Sequence, residues 1–267
     1  MAEENSIRKE IRSFIFYTFL ISWVSWAIII LGNKYFDFLW YGEPLFWIPM
    51  LTGGLGPAIS VYIISEKSNK DYTLKSFLAF LSSGNISRLG WLVFVLYIVG
   101  RFLMTWFGFG IEDPISIIYM FINLPLFIIG GGFEEIGWRG YLQPKLEKKY
   151  NYITAVLMVG IIWALWHLPL WFIKGTVQSA LPFFLYLFLV IILSFSFTTI
   201  YKYTRNIFLC ILSHAWFNGC IGLGVYIGVN GYLQLNLNWR VFLVFLLEFI
   251  LSFILSIKLV HKSKRDV

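Results

Sequence analysis

Eight predominantly apolar stretches of about 20 residues, divided by short polar turns, organise this chain. They run near 13–32, 45–65, 90–110, 118–143, 153–173, 181–201, 207–228 and 240–260. At a rise of 1.5 Å per residue, a helix of about 20 residues crosses a hydrocarbon core of about 30 Å. A further apolar run at 76–82 is too short to span and reads as interfacial or re-entrant. The pattern predicts an all-α, polytopic integral membrane helical bundle of about eight transmembrane helices. No repeat, low-complexity tract, linker or appended soluble domain interrupts it, so one transmembrane domain covers 1–267.

Charge placement tests that pattern independently, because cytoplasmic loops are enriched in Lys and Arg. Arg8, Lys9 and Arg12 precede the first stretch, and Lys67, Lys70, Lys75 and Arg88 follow the second. Lys145, Lys148 and Lys149 follow the fourth, Lys202 and Arg205 the sixth, and Lys262, Lys264 and Arg265 the last. The intervening loops hold little: Lys34 with Asp37 and Glu43, Glu112 with Asp113, then Lys174, then Arg240. This alternation predicts both termini in the cytoplasm. Residues 13–31 are too long for a signal-peptide core and lack a small-residue cleavage site, so they read as a retained first span.

Composition changes the picture in one respect. The chain is 59% hydrophobic and 13% charged, against about a quarter charged in soluble domains, which excludes an ordinary soluble enzyme. The net charge of +7 is explained by the loops rather than by a nucleic-acid partner. Cys210 and Cys220 are separated along one helix by roughly 15 Å, too far for a disulfide; they read as small packing residues. The Ile-, Phe- and Lys-rich composition points to a bacterial cell membrane. Nothing in the sequence signals an oligomeric state.

Ionisable groups are expensive in lipid and usually functional there. Glu134, Glu135 and Arg139 fall in the fourth stretch, His167 in the fifth, and His214 with Asn218 in the seventh. A fourth span ending at Gly130 would leave Glu134 at the surface. A span running on to Gln143 is preferred, because Ile136, Trp138, Tyr141 and Leu142 continue the apolar character up to Pro144 and Lys145. Helical rise then puts Glu134 about 3 Å from its span's midpoint and His167 about 6 Å from its own, so the polar groups share one level within about 10 Å. Glu135 and Arg139 are four apart and share a face, as do His214 and Asn218. Glu134 and Glu135 are about 100° apart around the axis, which predicts that one faces a reactive cavity while the other holds Arg139. Gly130, Gly131 and Gly132, with Pro169, are candidates for opening that cavity.

A carboxylate in low dielectric can act as a general base near neutral pH. A nearby histidine can help activate water, and a second histidine with an amide can donate to an oxyanion. These groups suffice for amide hydrolysis without a covalent intermediate. Taken in order, Glu134-Glu135-x-x-x-Arg139, Trp163-x-x-x-His167 and His214-x-x-x-Asn218 resemble the CAAX protease and bacteriocin-processing family, intramembrane glutamic endopeptidases related to the Ras-converting enzyme. The resemblance covers about 120–225. It implies that Glu134 is the base that activates water with His167, that His214 and Asn218 form the oxyanion hole, and that Glu135 and Arg139 support the architecture. No cofactor and no metal are implied. The family's usual phenylalanine stands here as Trp163, a change expected to leave the chemistry untouched.

The expected partners are the lipid bilayer and a peptide or protein substrate with a membrane-associated tail, cleaved near the cytoplasmic leaflet. Other readings stay open. Glu134 and the two histidines match the donor types of a zinc peptidase, although no His-Glu-x-x-His occurs. A non-catalytic immunity or peptide-binding protein would use the same fold. A proton-coupled transporter also buries Glu and His, but paired repeat halves are missing. Ser194, Ser196, Thr198 and Thr199 lack a basic partner by sequence, which argues against a serine protease. Arg101 and Glu248 are intramembrane charges that could pair inside the bundle but have no assigned role, and His261 reads as interfacial.

Overall fold

The computed structural model describes residues 2–69, 71–111, 114–228 and 233–263. Lys70, Glu112, Asp113, Lys264 and Arg265, counted in the charge alternation, lie outside the described residues, as do the side chains of His261 and Lys262. The chain is a helical bundle. Among the described residues five helices are long and apolar enough to cross a membrane, and two bent helix pairs raise this to seven. The long helices are α1 (Ala2–Phe36), α5 (Arg88–Phe109), α10 (Tyr152–Trp166, extended by a 3₁₀ turn at Leu168–Phe172), α11 (Phe183–Thr204) and α13 (Trp239–Ser263).

The two bends fall where proline breaks the helical ladder. The expected second span is α2 (Trp47–Gly54) and α3 (Gly56–Ser68), bent by 50°. Pro57 has no N–H to give the Gly53 carbonyl four residues back, and the Ser22 hydroxyl of α1 donates to that oxygen instead at 2.7 Å. The expected fourth span is α6 (Pro114–Ile122) followed by a helical run over Leu124–Glu147, again bent by 50°, beside Pro125. That run contains α7 (Leu124–Phe127), α8 (Glu134–Gly137) and α9 (Gln143–Glu147), joined by π-helical segments at Ile128–Gly132 and Trp138–Leu142. The expected fourth span is therefore broken near its start and carried four residues past Gln143.

The expected span 207–228 is shorter than the pattern predicted. α12 (Ile207–Gly222) covers only about 24 Å. Gly222 and Gly224 weaken the helix, and the β-prone Val225–Ile227 pairs antiparallel with Leu233–Leu235, Val225 opposite Leu235. The apolar run 76–82 lies in the short helix α4 (Leu74–Ser82), capped by Thr73 accepting from the Ser76 N–H.

The surface is what lipid requires. Leu92, Leu96, Val99 and Leu103 of α5 and Leu243, Leu247, Ile250 and Ile254 of α13 are exposed at helical spacing. In water so large an apolar surface would drive association. Polar side chains point inward. Ser194 donates to the Val156 carbonyl at 2.9 Å, and Thr199 and Ser256 lie 3.0 Å apart, gluing α10, α11 and α13.

Arg101 of α5 and Glu248 of α13 form a buried ion pair at 2.5 Å. Ser196 adds a hydrogen bond to the second Glu248 oxygen at 2.9 Å. The Arg101 guanidinium also lies 4.5 Å from the Phe217 ring centre. Removing one partner of such a pair leaves an unpaired buried charge, whereas removing both does not. Arg101→Met alone is expected to cost about 3–5 kcal/mol, and Arg101→Met with Glu248→Met much less. Thermal unfolding of the two proteins in one detergent measures the difference.

Candidate active site

Close helix approach builds the site. The main chain of the π-segment Ile128–Gly132 packs directly on α12: a Cβ on Gly132 would lie 2.8 Å from the Ile211 carbonyl oxygen. One turn further along α12, a Cβ on Gly131 would meet Asn218 Nδ2 at 2.1 Å and His214 Nε2 at 3.4 Å. Two polar nitrogens therefore converge beside Gly131, and only glycine leaves that space free. The π-segments widen the helix where the two glutamates emerge, as such bulges commonly do at functional sites.

Glu134 and Glu135 divide as their angular separation predicts. Glu134 is buried on the wall of a cavity of about 440 Å³ that is also lined by Trp163, His167, Tyr186, His214 and Asn218. Glu135 turns away into the bundle. Its Oε1 accepts from Arg139 Nη1 at 3.0 Å and lies 2.8 Å from His214 Nδ1. Its Oε2 accepts from the Cys210 thiol at 3.3 Å. Arg139 is fully buried, its guanidinium 4.6 Å from the Trp163 ring centre and 5.4 Å from that of Phe197. Cys210 and Cys220 are both free and buried.

Both site histidines, His167 and His214, have Nδ1 occupied. The Trp163 carbonyl lies 2.9 Å from His167 Nδ1. A carbonyl only accepts, so this nitrogen carries the proton and a neutral ring keeps Nε2 as its acceptor. His167 itself ends α10: Pro169 stops the α-helix and the chain tightens into the 3₁₀ turn. For His214, Glu135 fixes Nδ1 while Nε2 lies on the Gly131 side. The His214 ring stacks on Phe197 at 5.0 Å and meets the edge of Trp163 at 5.4 Å.

Trp163 corrects the expectation of an inert replacement. Its indole N–H donates to Glu134 Oε2 at 2.6 Å, and Trp138 donates to the same oxygen at 3.4 Å. A phenylalanine has no such donor. Among the described residues neither imidazole bonds Glu134 directly; the rings and the carboxylate face one cavity instead. Trp138, Tyr186 and the bond from Glu135 to His214 were missed from sequence. The i to i+4 spacing of Glu134 and Trp138 was the one local signal. Among the described residues no three His, Cys, Asp or Glu side chains group as metal ligands, so the zinc reading lacks a donor set.

The family model described as Type II CAAX prenyl endopeptidase, Rce1-like, matches residues 115–220, a segment that holds all six charged or polar site residues. The chain is also 28% identical over 173 residues to a CAAX prenyl protease 2 from Methanococcus maripaludis, an alignment covering 60% of this chain. The chain spans 62% of the length of that relative.

The network makes a graded prediction about stability. Arg139→Met leaves Glu135 without its buried cation and is expected to cost about 3–5 kcal/mol. Trp163→Phe removes one hydrogen bond to a carboxyl group and is expected to cost about 1.5–3 kcal/mol. Unfolding in detergent should rank them in that order, and a Trp163→Phe protein as stable as the unchanged chain would show that the indole bond is not holding Glu134.

Proposed function

We propose that this chain belongs to the CAAX protease and bacteriocin-processing family and is an intramembrane endopeptidase in which Glu134 activates water. The observation that carries the reading is the convergence of Glu134, His167, His214 and Asn218, from three separate helical segments, on one cavity. The proposed substrate is a peptide, or the tail of a membrane-associated protein, since the cavity is walled chiefly by aromatic and aliphatic side chains. The prenyl substrate named for the relative is a statement about that protein.

The steps follow from the groups present. Water between Glu134 and His167 gives a proton to the Glu134 carboxylate, while its oxygen bonds to the scissile carbonyl carbon. The indole N–H of Trp163 holds the Glu134 carboxyl group in place through the transfer. His167 Nε2 accepts the second water hydrogen bond and orients the attack. The carbonyl oxygen becomes an oxyanion beside Gly131, where Asn218 Nδ2 donates to it. His214 donates from Nε2 when its ring carries both protons, with Glu135 stabilising the charge through Nδ1. Collapse breaks the C–N bond, and the proton held on Glu134 passes to the leaving nitrogen. Arg139 acts as a positioning residue by fixing Glu135 and thereby His214.

Glu134→Gln keeps the side chain's shape and removes the base. Loss of general-base catalysis is expected to slow cleavage by roughly 10²–10⁴-fold, with membrane insertion unchanged. Asn218→Ala removes an oxyanion donor and is expected to cost about 10²–10³-fold in kcat. Cleavage is followed by mass spectrometry of membrane peptides with and without the active chain, and again in the presence of a metal chelator. Undiminished processing by Glu134→Gln would refute the mechanism and favour a peptide-binding role. Loss of processing on chelation would favour a metal.

A further inference from the structure

The segment between α10 and α11 is a tightly tied loop. The Trp171 indole N–H donates to the Leu181 carbonyl at 2.7 Å. The Thr176 hydroxyl is shared between the Leu170 and Ile173 carbonyls at 2.9 and 3.0 Å. Ser179 gives its N–H to the Thr176 hydroxyl oxygen at 3.3 Å and its own hydroxyl to the Thr176 carbonyl at 2.7 Å. Gly175 takes a φ of +91°, and a Cβ there would lie 2.8 Å from Tyr41, so the turn needs glycine. None of these bonds uses the side chain of Gln178, which stands in the 3₁₀ turn Gln178–Ala180 and lines the cavity.

Gln178 is a polar side chain in an apolar place. Val177 and Leu181 flank it on the wall, and the strand Leu233–Leu235 packs against its turn. A half-buried carboxamide needs hydrogen bonds in such surroundings. The Tyr186 hydroxyl of α11 is within hydrogen-bonding reach of it. A carboxamide has two N–H donors and an acceptor oxygen, so one hydroxyl leaves most of that capacity free. The Tyr186 ring is held edge to face by Trp171 at 4.9 Å and by His167 at 5.3 Å. Its hydroxyl is also near enough to Glu134 to feel that charge. The pair of Gln178 and Tyr186 therefore stands beside the groups assigned to water activation.

Other polar groups of the wall are already engaged. The Trp163 indole holds Glu134, Trp26 Nε1 donates to the Met50 carbonyl at 3.3 Å, and His167 and His214 have Nδ1 occupied. Among the described residues no Lys or Arg lines the cavity, so the group recognised there is neutral. A carboxamide offers a donor and an acceptor side by side, which match the C=O and N–H of a peptide unit. A hydrocarbon chain offers neither. We infer that Gln178, oriented by Tyr186, hydrogen-bonds the main chain of the substrate peptide beside the bond that is cut, and so selects a peptide backbone over other apolar occupants. This rests on the endopeptidase reading of the cavity. It adds a substrate-binding residue from the loop, outside the three helical motifs.

Two blocked probe tetrapeptides of leucine and phenylalanine test this, one with amide links and one with the inner amides replaced by esters. Their side chains are the same, but the ester probe lacks those main-chain N–H donors. Both are titrated in detergent into the Glu134→Gln protein, and binding is read from the rise in unfolding temperature. The amide probe is expected to bind about 3–10-fold more tightly, the effect of about one hydrogen bond. Adding Gln178→Leu should bring the two probes to within about twofold. Adding Tyr186→Phe instead, which leaves the loop's own bonds intact, should narrow the gap in the same direction. A purely structural Gln178 would weaken both probes alike and keep their ratio. Equal binding of the two probes, a ratio undisturbed by Gln178→Leu, or no shift with the amide probe overturns the inference. In cells, Gln178→Leu alone should lower Glu134-dependent peptide cleavage by about 3–10-fold, and undiminished cleavage overturns it too. If Glu134→Gln proves as active as the unchanged chain, the endopeptidase mechanism fails while the preference for amide over ester stands by itself.

Discussion

A guanidinium enclosed in a lipid-embedded bundle has to be neutralised by the protein, and the enclosure of Arg139 organises this site. Its partner Glu135 lies one helical turn away, and aromatic rings of α10 and α11 cover its faces. Both supports have a second function. Glu135 also holds His214 Nδ1, and Trp163 also donates to Glu134. The charge that would be costly alone therefore couples the helical run Leu124–Glu147, α10 and α12 to one another. The network is not fully satisfied: Arg139 Nε and Nη2 are buried without a hydrogen-bond partner among the described residues, and the guanidinium packs on aromatic faces instead.

A second network lies beside the first, and two rings on which its guanidinium packs, Phe217 and Phe245, also line the cavity. Arg101, Glu248, Ser196 and Ser252 connect α5, α11 and α13. Phe217, against which Arg101 packs, also lines the cavity and neighbours Asn218 in sequence. That part of the cavity wall is thus backed by an ion pair as well as by apolar packing. Small hydroxyls complete the same task between other helices, where lipid offers no hydrophobic drive for association.

The breaks in the helices are as important as the helices. Proline and glycine produce the bend before Gly56, the bend near Asn123 and the change to 3₁₀ geometry after His167. Non-helical backbone is tolerated at membrane depth where it is buried or lines a cavity. The 3₁₀ turn after His167 meets that condition, because Leu170 within it lies on the cavity wall.

The sequence alone determined the membrane bundle, the helices that carry each motif, and the split between Glu134 and Glu135. Hydrophobic length, helical period and the cost of charge in lipid are local properties, readable without knowing any neighbour. It misjudged Trp163, because an aromatic side chain shows its donor only once a carboxylate 29 residues away is placed beside it. It allowed that Arg101 and Glu248 could pair but could not show that they meet, for the same reason, since they stand 147 positions apart. It also carried the seventh span through Gly224, since apolar character does not distinguish a strand of Val225–Ile227 from the end of a helix. Which nitrogen of His214 is held, and which side chains wall the cavity, depend on how helices cross and rotate against each other. Those choices are fixed by side-chain packing between distant segments, and only the tertiary structure contains them.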